Sequence, residues 1–520
     1  MAINPTSAPG LYVIELPSNA HSIQAAPKSI TVFAGYTHPY KTRNFRTAVR
    51  IDSWPDYERE FGGLYASGLV DSHVPYAVSQ FFINGGSQAY VVGLEAHYRD
   101  AANADLGSVT ASPPKGTISN IVFTARELTD LIPMRVSIDN VGTPATKADV
   151  TISYGPTVET YRGVSLNPAD ATFLEKRIGI PGQERSQLVT VGPPGGGYTV
   201  FTQQSNISIN TTPPGGTATT FSESDFGPVA PAPGVFDPDS PLDKVDIFNL
   251  LLVPGVTDNS VISAALTFAE HKRAFCILDP PAQAAADGTA GLTPMENLVD
   301  PIPKSPNGAI YFPYLRALDP LTASQSELPP SGYVAGQIAT TDQVGPWLAP
   351  AGLSTVLKAT TGVVPRGKLT DARLGRLNAL GVNCLKTVPS VGTVVWGART
   401  LVSPNPSFQQ WKYVPVRRMA LFIEQTLLMN LGWAVFQPND DPLYVALRTT
   451  VSSFMLSLFN AGAFEGATPS QAFRVLCDRT TTTDDDRTNG ICNIVVGFRP
   501  LKPAEFVVIK IAQLAGQAAA

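Results

Sequence analysis

The chain has 520 residues, of which 37 are basic and 42 are acidic, so its formal net charge is −5. Only 15% of the residues are charged, against about a quarter in ordinary globular proteins. This balance excludes a protein that binds nucleic acid through an overall basic surface, so we expect no nucleic-acid partner. The length allows roughly two to four domains, and the low charge predicts that an assembly covers much of the surface.

The four cysteines, Cys276, Cys384, Cys477 and Cys492, show no CxxC spacing and lie in apolar or strand-like surroundings. This pattern favours buried free thiols in a reducing compartment over disulfides. The start of the chain lacks the pattern of a secretory signal, and no apolar run approaches the roughly 20 residues of a membrane helix. We therefore expect synthesis in the cytoplasm and no direct membrane insertion.

A short strand pattern near the N-terminus is bounded by Pro9 and Pro17. Its residues are Leu11, Tyr12, Val13, Ile14 and Glu15, followed by Leu16. A strand at a terminus has no close neighbour in sequence with which to pair. It can pair with the sheet edge of another subunit, or within its own chain.

An α/β pattern follows this segment. The residue types predict a strand at Ser29 to Tyr36, helices at Trp54 to Phe61 and Val74 to Ile83, and a strand at Ala89 to Leu94. From Ala102 to Phe236 the chain becomes rich in serine, threonine, glycine and proline, and helical periodicity nearly disappears. This change predicts an inserted all-β domain.

The α/β pattern then resumes. Apolar runs predict strands at Asp246 to Val253, Phe275 to Leu278 and Ala309 to Tyr314, with helices at Asn259 to His271 and Leu369 to Leu380. Together with the first segment, this pattern predicts a multi-domain α/β (α+β) protein.

The segment from Val394 to Asp441 combines several signals. We predict a strand at Val394 to Val402, a helix from Pro415 that buries Val416, Met419, Ile423 and Leu427, and a second strand at Trp433 to Phe436.

In the rest of the chain, apolar spacing and capping residues predict a helix through Leu443 and Leu458 and a capping box at Thr468 to Gln471. They also predict strands at Ile491 to Phe498 and Phe506 to Ile511.

Motifs for catalysis or metal binding are weak. HExxH, CxxC and GxSxG are missing, so we expect no catalytic, cofactor-binding or metal-binding residues. The run from Gly362 to Lys368 fits GxxxxGK, but Leu369 replaces the hydroxyl residue that would bind Mg²⁺, and Pro365 removes a backbone N–H. Asp484 to Asp486 lack the spacing of a calcium loop and are typical of a solvated turn or helix start.

The chain resembles contractile tail sheath proteins of myophages and of phage-derived contractile injection systems. The segments that carry the resemblance follow one another along the chain: P-G-L-Y-V-I-E at Pro9 to Glu15, F-F-I-N-G-G at Phe81 to Gly86, Y-R-G-V-S-L at Tyr161 to Leu166, L-L-V-P-G-V-T-D at Leu251 to Asp258, L-G-V-N at Leu380 to Asn383, W-G-A-R-T-L, Y-V-P-V-R-R, F-I-E and W-A-V-F-Q-P-N-D within Val394 to Asp441, and K-P-A-E-F-V-V-I-K-I at Lys502 to Ile511.

The resemblance implies a structural, non-enzymatic subunit that stacks as hexameric rings around an inner tube and contracts from a metastable extended state. The implied partners are other copies of the chain, the inner tube protein, and baseplate and terminal cap proteins. It also implies that both terminal strands pair with neighbouring subunits. The C-terminal strand residues would be Phe506, Val507, Val508, Ile509 and Ile511.

The expected domains are an N-terminal arm (1–25), an α/β middle domain (26–101 and 237–350), an inserted outer β domain (102–236), a C-terminal inner domain (351–505) and a C-terminal arm (506–520). Predicted core residues of the inner domain are Trp396, Arg399, Arg417, Arg418, Glu424 and Trp433. Predicted tube-facing residues are Thr468, Gln471, Arg474, Asp478 and Arg479.

Two alternatives remain at this point. One is a static tube or baseplate component, which would have a single lattice state. The other is a nucleotide-using α/β enzyme with its site at Gly362 to Lys368, which would lose activity on Lys368→Ala.

Overall fold

The computed structural model describes residues 22–100, 102–195, 197–211, 222–229, 232–285, 292–364 and 369–506. The chain divides into two compact units. The smaller one comprises Met1–Ala26 and Met419–Leu501, and the larger one comprises Pro27–Arg418 and Lys502–Ala520.

The elements follow one another along the chain in four segments. The first segment contains β1 (Thr31–Tyr36), β2 (Ala48–Ile51), α1 (Trp54–Phe61), α2 (His73–Ile83), β3 (Ala89–Leu94) and β4 (His97–Arg99). The second contains β5 (Asp105–Ser108), β6 (Lys115–Ile118), β7 (Ile121–Ala125), β8 (Met134–Asp139), β9 (Lys147–Tyr154), β10 (Thr157–Ser165), α3 (Leu174–Ile178), β11 (Gly179–Ile180), β12 (Gln183–Glu184), β13 (Val189–Gly192) and β14 (Gln204–Ile209).

The third segment contains β15 (Leu250–Leu252), α4 (Asn259–His271), β16 (Phe275–Leu278), β17 (Ala284–Ala285), β18 (Thr293–Pro294), β19 (Gly308–Phe312), β20 (Leu315–Asp319), β21 (Ser324–Leu328), α5 (Ser331–Thr341), β22 (Gly362–Val363), α6 (Asp371–Ala379), β23 (Val382–Val388), β24 (Gly392–Val395) and α7 (Val414–Asn430). The last contains α8 (Asp441–Asn460), α9 (Pro469–Ala472), β25 (Phe473–Leu476), α10 (Asp484–Thr488) and β26 (Val495–Phe498).

One eight-stranded sheet organises the larger unit, with strand order β2-β3-β1-β15-β16-β19-β23-β24. The six inner strands are parallel, and the edge strands β2 and β24 are antiparallel to their neighbours. Every residue of β1, β15, β16 and β19 is buried. This is expected for parallel strands, because their crossover connections cover both faces. The predicted α/β class with mixed sheets is confirmed.

The helices begin and end where the sequence indicates. The Ser53 side chain accepts a hydrogen bond from Asp56 N at the start of α1, and Gly62 ends that helix in the left-handed region at φ 85°. Asp258 caps α4 by accepting from the backbone N–H groups of Ser260 and Val261. These caps satisfy N–H groups that have no partner within the helix.

Helices α2 and α5 pack closely because α5 contains two glycines at this contact. A Cβ atom on Gly332 would lie 2.4 Å from the backbone oxygen of Ala77, and one on Gly336 would lie 2.6 Å from that of Phe81. Neither distance is possible for a real side chain, so the contact requires glycine at both positions.

Residues 115–209 contain two antiparallel sheets of orders β10-β9-β8-β14 and β13-β7-β6. Buried and partly exposed residues alternate along β9, as in a strand with one face on a core. A separate hydrophobic cluster that includes Phe123, Val150, Leu174 and Ile209 fills the space between these elements. This part of the chain therefore has a core of its own.

In the smaller unit, β25 pairs antiparallel with β26, and α8 buries seven side chains. Helix α8 is also long and apolar enough to cross a membrane, judged by length and composition. Its buried side chains, Leu443, Tyr444, Leu447, Val451, Phe454, Met455 and Leu458, instead show the pattern of a core helix.

Three strand predictions are wrong in extent or type. The strand predicted at Val394 to Val402 ends at Val395, the one predicted at Asp246 to Val253 covers only Leu250–Leu252, and Trp433 to Phe436 contains a 3₁₀ turn (Gly432–Ala434) instead of a strand. Phe436 has φ 66° and is fully exposed. Propensity alone could not identify these ends, because a strand also needs a partner with free hydrogen-bonding groups.

Two C-terminal predictions are also corrected. The strand predicted at Ile491 to Phe498 begins only at Val495, because the Thr482 and Thr481 hydroxyls bond the backbone N and O of Asn493. Helix α9 forms, but the Thr468 side chain makes no capping bond to it. In contrast, Thr483 and Asp486 form a complete capping box at α10, which agrees with the predicted helix start at Asp484.

We predict that Gly332→Ala destabilises the larger unit by about 1–3 kcal/mol, because the added methyl group overpacks the contact between α2 and α5. Gly375 in α6 is the matched control, since a Cβ atom there meets nothing within 4 Å. Gly375→Ala should leave stability unchanged or raise it by about 1 kcal/mol. Denaturant unfolding of both variants measures the difference. Equal stability of the two would contradict this account of the contact.

Candidate assembly site

The predicted terminal strands lie mostly outside the described residues. This applies to Leu11, Tyr12, Val13, Ile14, Glu15, Val507, Val508, Ile509 and Ile511. The structure does describe residues 22–26, a few positions after the predicted N-terminal strand, and residues 502–506, which end at the first residue of the predicted C-terminal strand. We call these segments the N-terminal root and the C-terminal root. Each root is fixed within its own unit by a small set of polar side chains.

The N-terminal root lies against the last turns of α7. The Asn430 side chain accepts a hydrogen bond from Gln24 N at 2.9 Å and donates one to Gln24 O at 2.8 Å. Ala26 N donates to Thr426 Oγ1 at 3.1 Å, and Ala26 is buried. The amide of Asn430 thus pairs with the main chain of Gln24 as a neighbouring strand would.

The C-terminal root is held by a two-point ion pair. Arg399 Nε donates to Glu505 Oε1 at 2.8 Å, and Arg399 Nη2 donates to Oε2 at 2.5 Å. The third nitrogen, Nη1, donates to Asn378 O at 2.8 Å, and the Tyr413 hydroxyl donates to Glu505 Oε2 at 3.4 Å. Arg399 is 8% exposed, so water competes little with these bonds.

The backbone of Arg399 is fixed to the main sheet through Asn383, a buried residue of β23. Asn383 Oδ1 accepts from Arg399 N at 2.7 Å, and Asn383 Nδ2 donates to Arg399 O at 2.8 Å. A Cβ atom on Gly397 would lie 2.9 Å from Asn383 Cα, so the chain passes close to β23 here. Trp396 N still donates to the backbone oxygen of Cys384 at 2.8 Å, but at Arg399 the Asn383 side chain replaces a backbone partner, so the predicted strand does not continue to Val402.

The electrostatics favour an ionised Glu505. Burial alone would raise the pKa of Glu505, but the hydrogen bonds and positive charge of Arg399 outweigh it, and the pKa lies below its ordinary value. A carboxyl whose folded pKa is lowered stabilises the folded state above its unfolded pKa. That contribution is lost as the pH falls through the folded value.

A cavity of about 430 Å³ lies beside the C-terminal root. Its lining includes Leu374, Asn378, Cys384, Trp396, Pro503 and Phe506. Phe506, the last described residue, is 76% exposed. Trp396 is predicted to be a core residue but is 43% exposed, with Lys386 Nζ 5.6 Å from the centre of its ring.

The other predicted core residues of the inner domain differ from one another. Arg418 is buried and forms a two-point ion pair with Asp342 at 2.8 and 2.5 Å. Arg417 is partly buried and donates to Asn307 Oδ1 at 2.8 Å. Trp433 is partly buried against a small apolar cluster, whereas Glu424 is exposed, so its assignment to the core is wrong.

The predicted tube-facing residues belong to the smaller unit. Thr468, Gln471, Arg474 and Arg479 are exposed on or next to α9 and β25. Arg479 pairs with Asp441 at 2.8 Å, and both side chains are more than half exposed. Asp478 accepts from Thr480 N at 2.8 Å and from the Thr480 hydroxyl, so it stabilises a turn.

The carboxyl edge of the parallel sheet is where α/β proteins usually bind ligands. Here Asp279, just after β16, accepts from Ser331 N at 2.8 Å, from the Ser331 hydroxyl at 2.6 Å and from Gly255 N at 3.0 Å. Burial raises the pKa of this carboxyl, and the three bonds commit it to joining loops to α5. Its role is therefore structural.

The nucleotide-loop alternative gains no support. Gly362 belongs to β22, which pairs antiparallel with β20, and Leu369 packs against the main core. Residues 365–368 of the motif lie outside the described residues.

Among the residues that the structure describes, no group of three or more His, Cys, Asp or Glu side chains could hold a metal ion.

Sequence reasoning missed three residues that fix the roots: Asn430 for the N-terminal root, and Asn383 and Glu505 for the C-terminal root. Asn383 and Glu505 lie in segments that carry the family resemblance, at L-G-V-N and K-P-A-E-F, but neither segment indicates a partner. The pairs join residues 106 and 406 positions apart in the chain. Local patterns give no signal for contacts at such separations.

We predict that Glu505→Gln and Arg399→Lys release the C-terminal root, because each removes a charge-assisted bond worth about 2 kcal/mol. Protection of residues 502–506 from hydrogen exchange, measured relative to the intrinsic rate at the same pH, should decrease. The same loss of protection should occur in the unchanged protein once the pH falls below the ordinary carboxyl range. Arg376→Lys, which alters an exposed pair with Glu296, is the control and should have no effect. Unchanged exchange in Glu505→Gln would show that the ion pair does not hold the root.

The central part of the chain matches a known protein family. Residues 243–401 match the family model of the phage tail sheath protein central domain. No curated protein sequence matches the chain.

Several solved structures are similar over nearly the whole chain. A chain of the anti-feeding prophage (AFP) baseplate is 22% identical, with 98% of this chain and 99% of that chain covered and a TM-score of 0.55. A chain of the PVC sheath complex, an extracellular contractile injection system in its contracted state, is 21% identical, with 98% of each chain covered and a TM-score of 0.57. The AFP helical sheath in its contracted state gives 21% identity, coverage of 98% and 99%, and a TM-score of 0.55.

At these identities the structural matches establish a shared fold. The family model shows, in addition, which family the central segment of the chain matches. The resemblance to contractile tail sheath proteins is therefore confirmed: the chain carries a phage tail sheath central domain at residues 243–401.

Proposed function

We propose that the protein is a structural, non-enzymatic subunit of a contractile sheath. Its subunits form hexameric rings that stack around an inner tube, and contraction from a metastable extended state drives the tube through a target envelope. The observation that carries the proposal is the tail sheath domain at residues 243–401, within a fold that matches sheath chains end to end.

The two roots support a role for the termini in assembly. Each root fixes the chain near a predicted terminal strand: residues 22–26 follow the strand that ends at Leu16, and residues 502–506 end where the strand from Phe506 begins. A strand that leaves from a fixed point can add to the sheet edge of a neighbouring subunit through main-chain hydrogen bonds. The strands would then link subunits while the subunits move.

Exposed apolar side chains in the smaller unit support coverage by other subunits. Eight large ones are exposed in residues 419–501: Leu428, Met429, Val435, Phe436, Val445, Leu456, Ile491 and Val495. A monomer has little reason to expose a phenylalanine as fully as Phe436. Burial of such surface in a contracted lattice would release free energy without nucleotide hydrolysis.

The proposed partners are other copies of the chain, the inner tube protein, and baseplate and cap proteins. Thr468, Gln471, Arg474 and Arg479 remain the proposed tube-facing residues, since they are exposed. We place the protein in an assembled phage tail or contractile injection particle.

We expect that deletion of residues 1–16, or of all residues from Phe506 onward, leaves folded monomers that do not assemble, because the strands that pair between subunits are gone. Size-exclusion chromatography with light scattering and negative-stain electron microscopy measure this. Deletion of only the alanine-rich residues 515–520 is the control and should give tubes. Normal tubes from either longer deletion would refute strand exchange.

A flexible insertion directly after Leu16 should permit assembly but weaken the coupling of contraction between rings, because a longer linker transmits less displacement. Electron microscopy of triggered particles should show partly contracted sheaths. The same insertion after Ala515 serves as the control. Uniform, complete contraction with the Leu16 insertion would argue against a mechanical role for this arm.

A further inference from the structure

Two cysteines of the smaller unit lie in direct contact although they are 15 residues apart. Cys477 follows β25 and Cys492 precedes β26, and their Sγ atoms are 4.0 Å from each other. Cys477 is completely buried, whereas Cys492 is partly exposed. Both are free thiols in this structure.

Hydrogen bonds on both sides hold the two sulfur atoms in this position. Strands β25 and β26 pair with Leu476 opposite Val495. The loop that follows Cys477 is tied back to the residue after Cys492: Asn493 N donates to the Thr482 hydroxyl at 3.0 Å, and the Thr481 hydroxyl donates to Asn493 O at 3.3 Å. The contact between the thiols therefore results from the local fold.

The other two cysteines differ in this respect. Cys276 lies on β16 and Cys384 on β23, and β19 lies between these strands. Two strand spacings separate the backbones by roughly 10 Å, which is beyond the reach of a disulfide. They serve as internal controls for thiols that are buried but not paired.

We propose that Cys477 and Cys492 form a reversible disulfide when the protein meets a small-molecule disulfide oxidant. The proposal rests on the contact between the two sulfur atoms and is independent of the proposed function. A bond at this position would close a loop of residues 478–491, which contains Arg479 and α10.

The chemistry is thiol–disulfide exchange in two steps. The Cys492 thiolate, which is the accessible one, attacks one sulfur of the oxidant and releases one small thiol. The Cys477 thiolate then attacks Cys492 Sγ and releases the second. Two protein S–H bonds and one oxidant S–S bond are lost, and one protein S–S bond and two small-molecule thiols are formed.

The buried position of Cys477 makes the second step slow. Burial and the neighbouring Cys492 raise the pKa of the Cys477 thiol to about 12, so little thiolate is present at neutral pH. We expect the rate of disulfide formation to rise with pH in the alkaline range. A mixed disulfide on Cys492 should appear first and then disappear.

The test uses the reduced full-length chain with oxidised glutathione at about pH 8, near the ordinary thiol pKa, followed by alkylation and peptide mapping without reductant. We expect a cross-link between the peptides of Cys477 and Cys492, and a loss of mass equal to two hydrogen atoms. Reductant should reverse it. Cys276→Ser and Cys384→Ser should still form the cross-link, whereas Cys492→Ser should not.

Proteolysis gives a second readout on the unmodified sequence. Cleavage within residues 478–491 should be slower in the oxidised chain than in the reduced chain. A permanent glutathione adduct on Cys492 without a cross-link would overturn the proposal. So would full alkylation of both Cys477 and Cys492 by a reagent added in denaturant after oxidation.

Discussion

Burial of both faces of the main sheet constrains the whole larger unit. Six parallel strands require cover along their full width on each side, and the chain must cross the sheet between successive strands. The helices that provide this cover approach so closely that α5 needs glycine where it meets α2. Asp279, a polar residue at the end of a strand, accepts hydrogen bonds from the backbone of Gly255 and Ser331 and so joins a loop to α5.

Backbone N–H and C=O groups also need hydrogen-bond partners where the regular strand pairing stops. At three such places an asparagine side chain supplies them. Asn249, Asn383 and Asn430 each use the side-chain amide as a substitute for a peptide group, accepting from one backbone N–H and donating to a backbone carbonyl. Each amide fixes a segment that is not a regular strand. Asn430 binds the N-terminal root, and Asn383 binds Arg399, which holds the C-terminal root. Both roots are therefore fixed to folded segments of the chain.

The sequence predicts the fold well where the cause is local. The limits of α1, β3, α4 and β16 follow from apolar spacing, from caps such as Asp258 and from Gly62. Prediction from sequence fails where a residue far away in the chain determines where a strand begins or ends. The strand predicted from Asp246 is cut short where Asn249 bonds the segment around Ile30, and the one predicted after Val394 ends where Asn383 takes over. Trp433 and Phe436 have strand-forming side chains, but the chain forms a 3₁₀ turn at Gly432–Ala434 and Phe436 has φ 66°.

The candidate site is predictable only in part. The family resemblance points to both termini and to Arg399, but no spacing rule joins Arg399 to Glu505 or Asn430 to Gln24. Partners this far apart in sequence can be identified only once the chain is seen folded. Exposure shows the same limit, since Trp396 and Glu424 are predicted as core residues of the inner domain but are both exposed.

The inserted β segment has a consequence for how such chains diverge. It leaves the main sheet after β3 and rejoins it at β15, and both strands are neighbours of β1. Within it, residues 118–209 contribute to an apolar cluster distinct from that of the sheet, whereas Val109, Leu128 and Phe226 pack in the cluster of the sheet itself. Pairing in the main sheet thus does not involve the strands of residues 115–209. Evolution can enlarge or replace these strands without changing the sheet, and an engineer could insert a foreign domain among them.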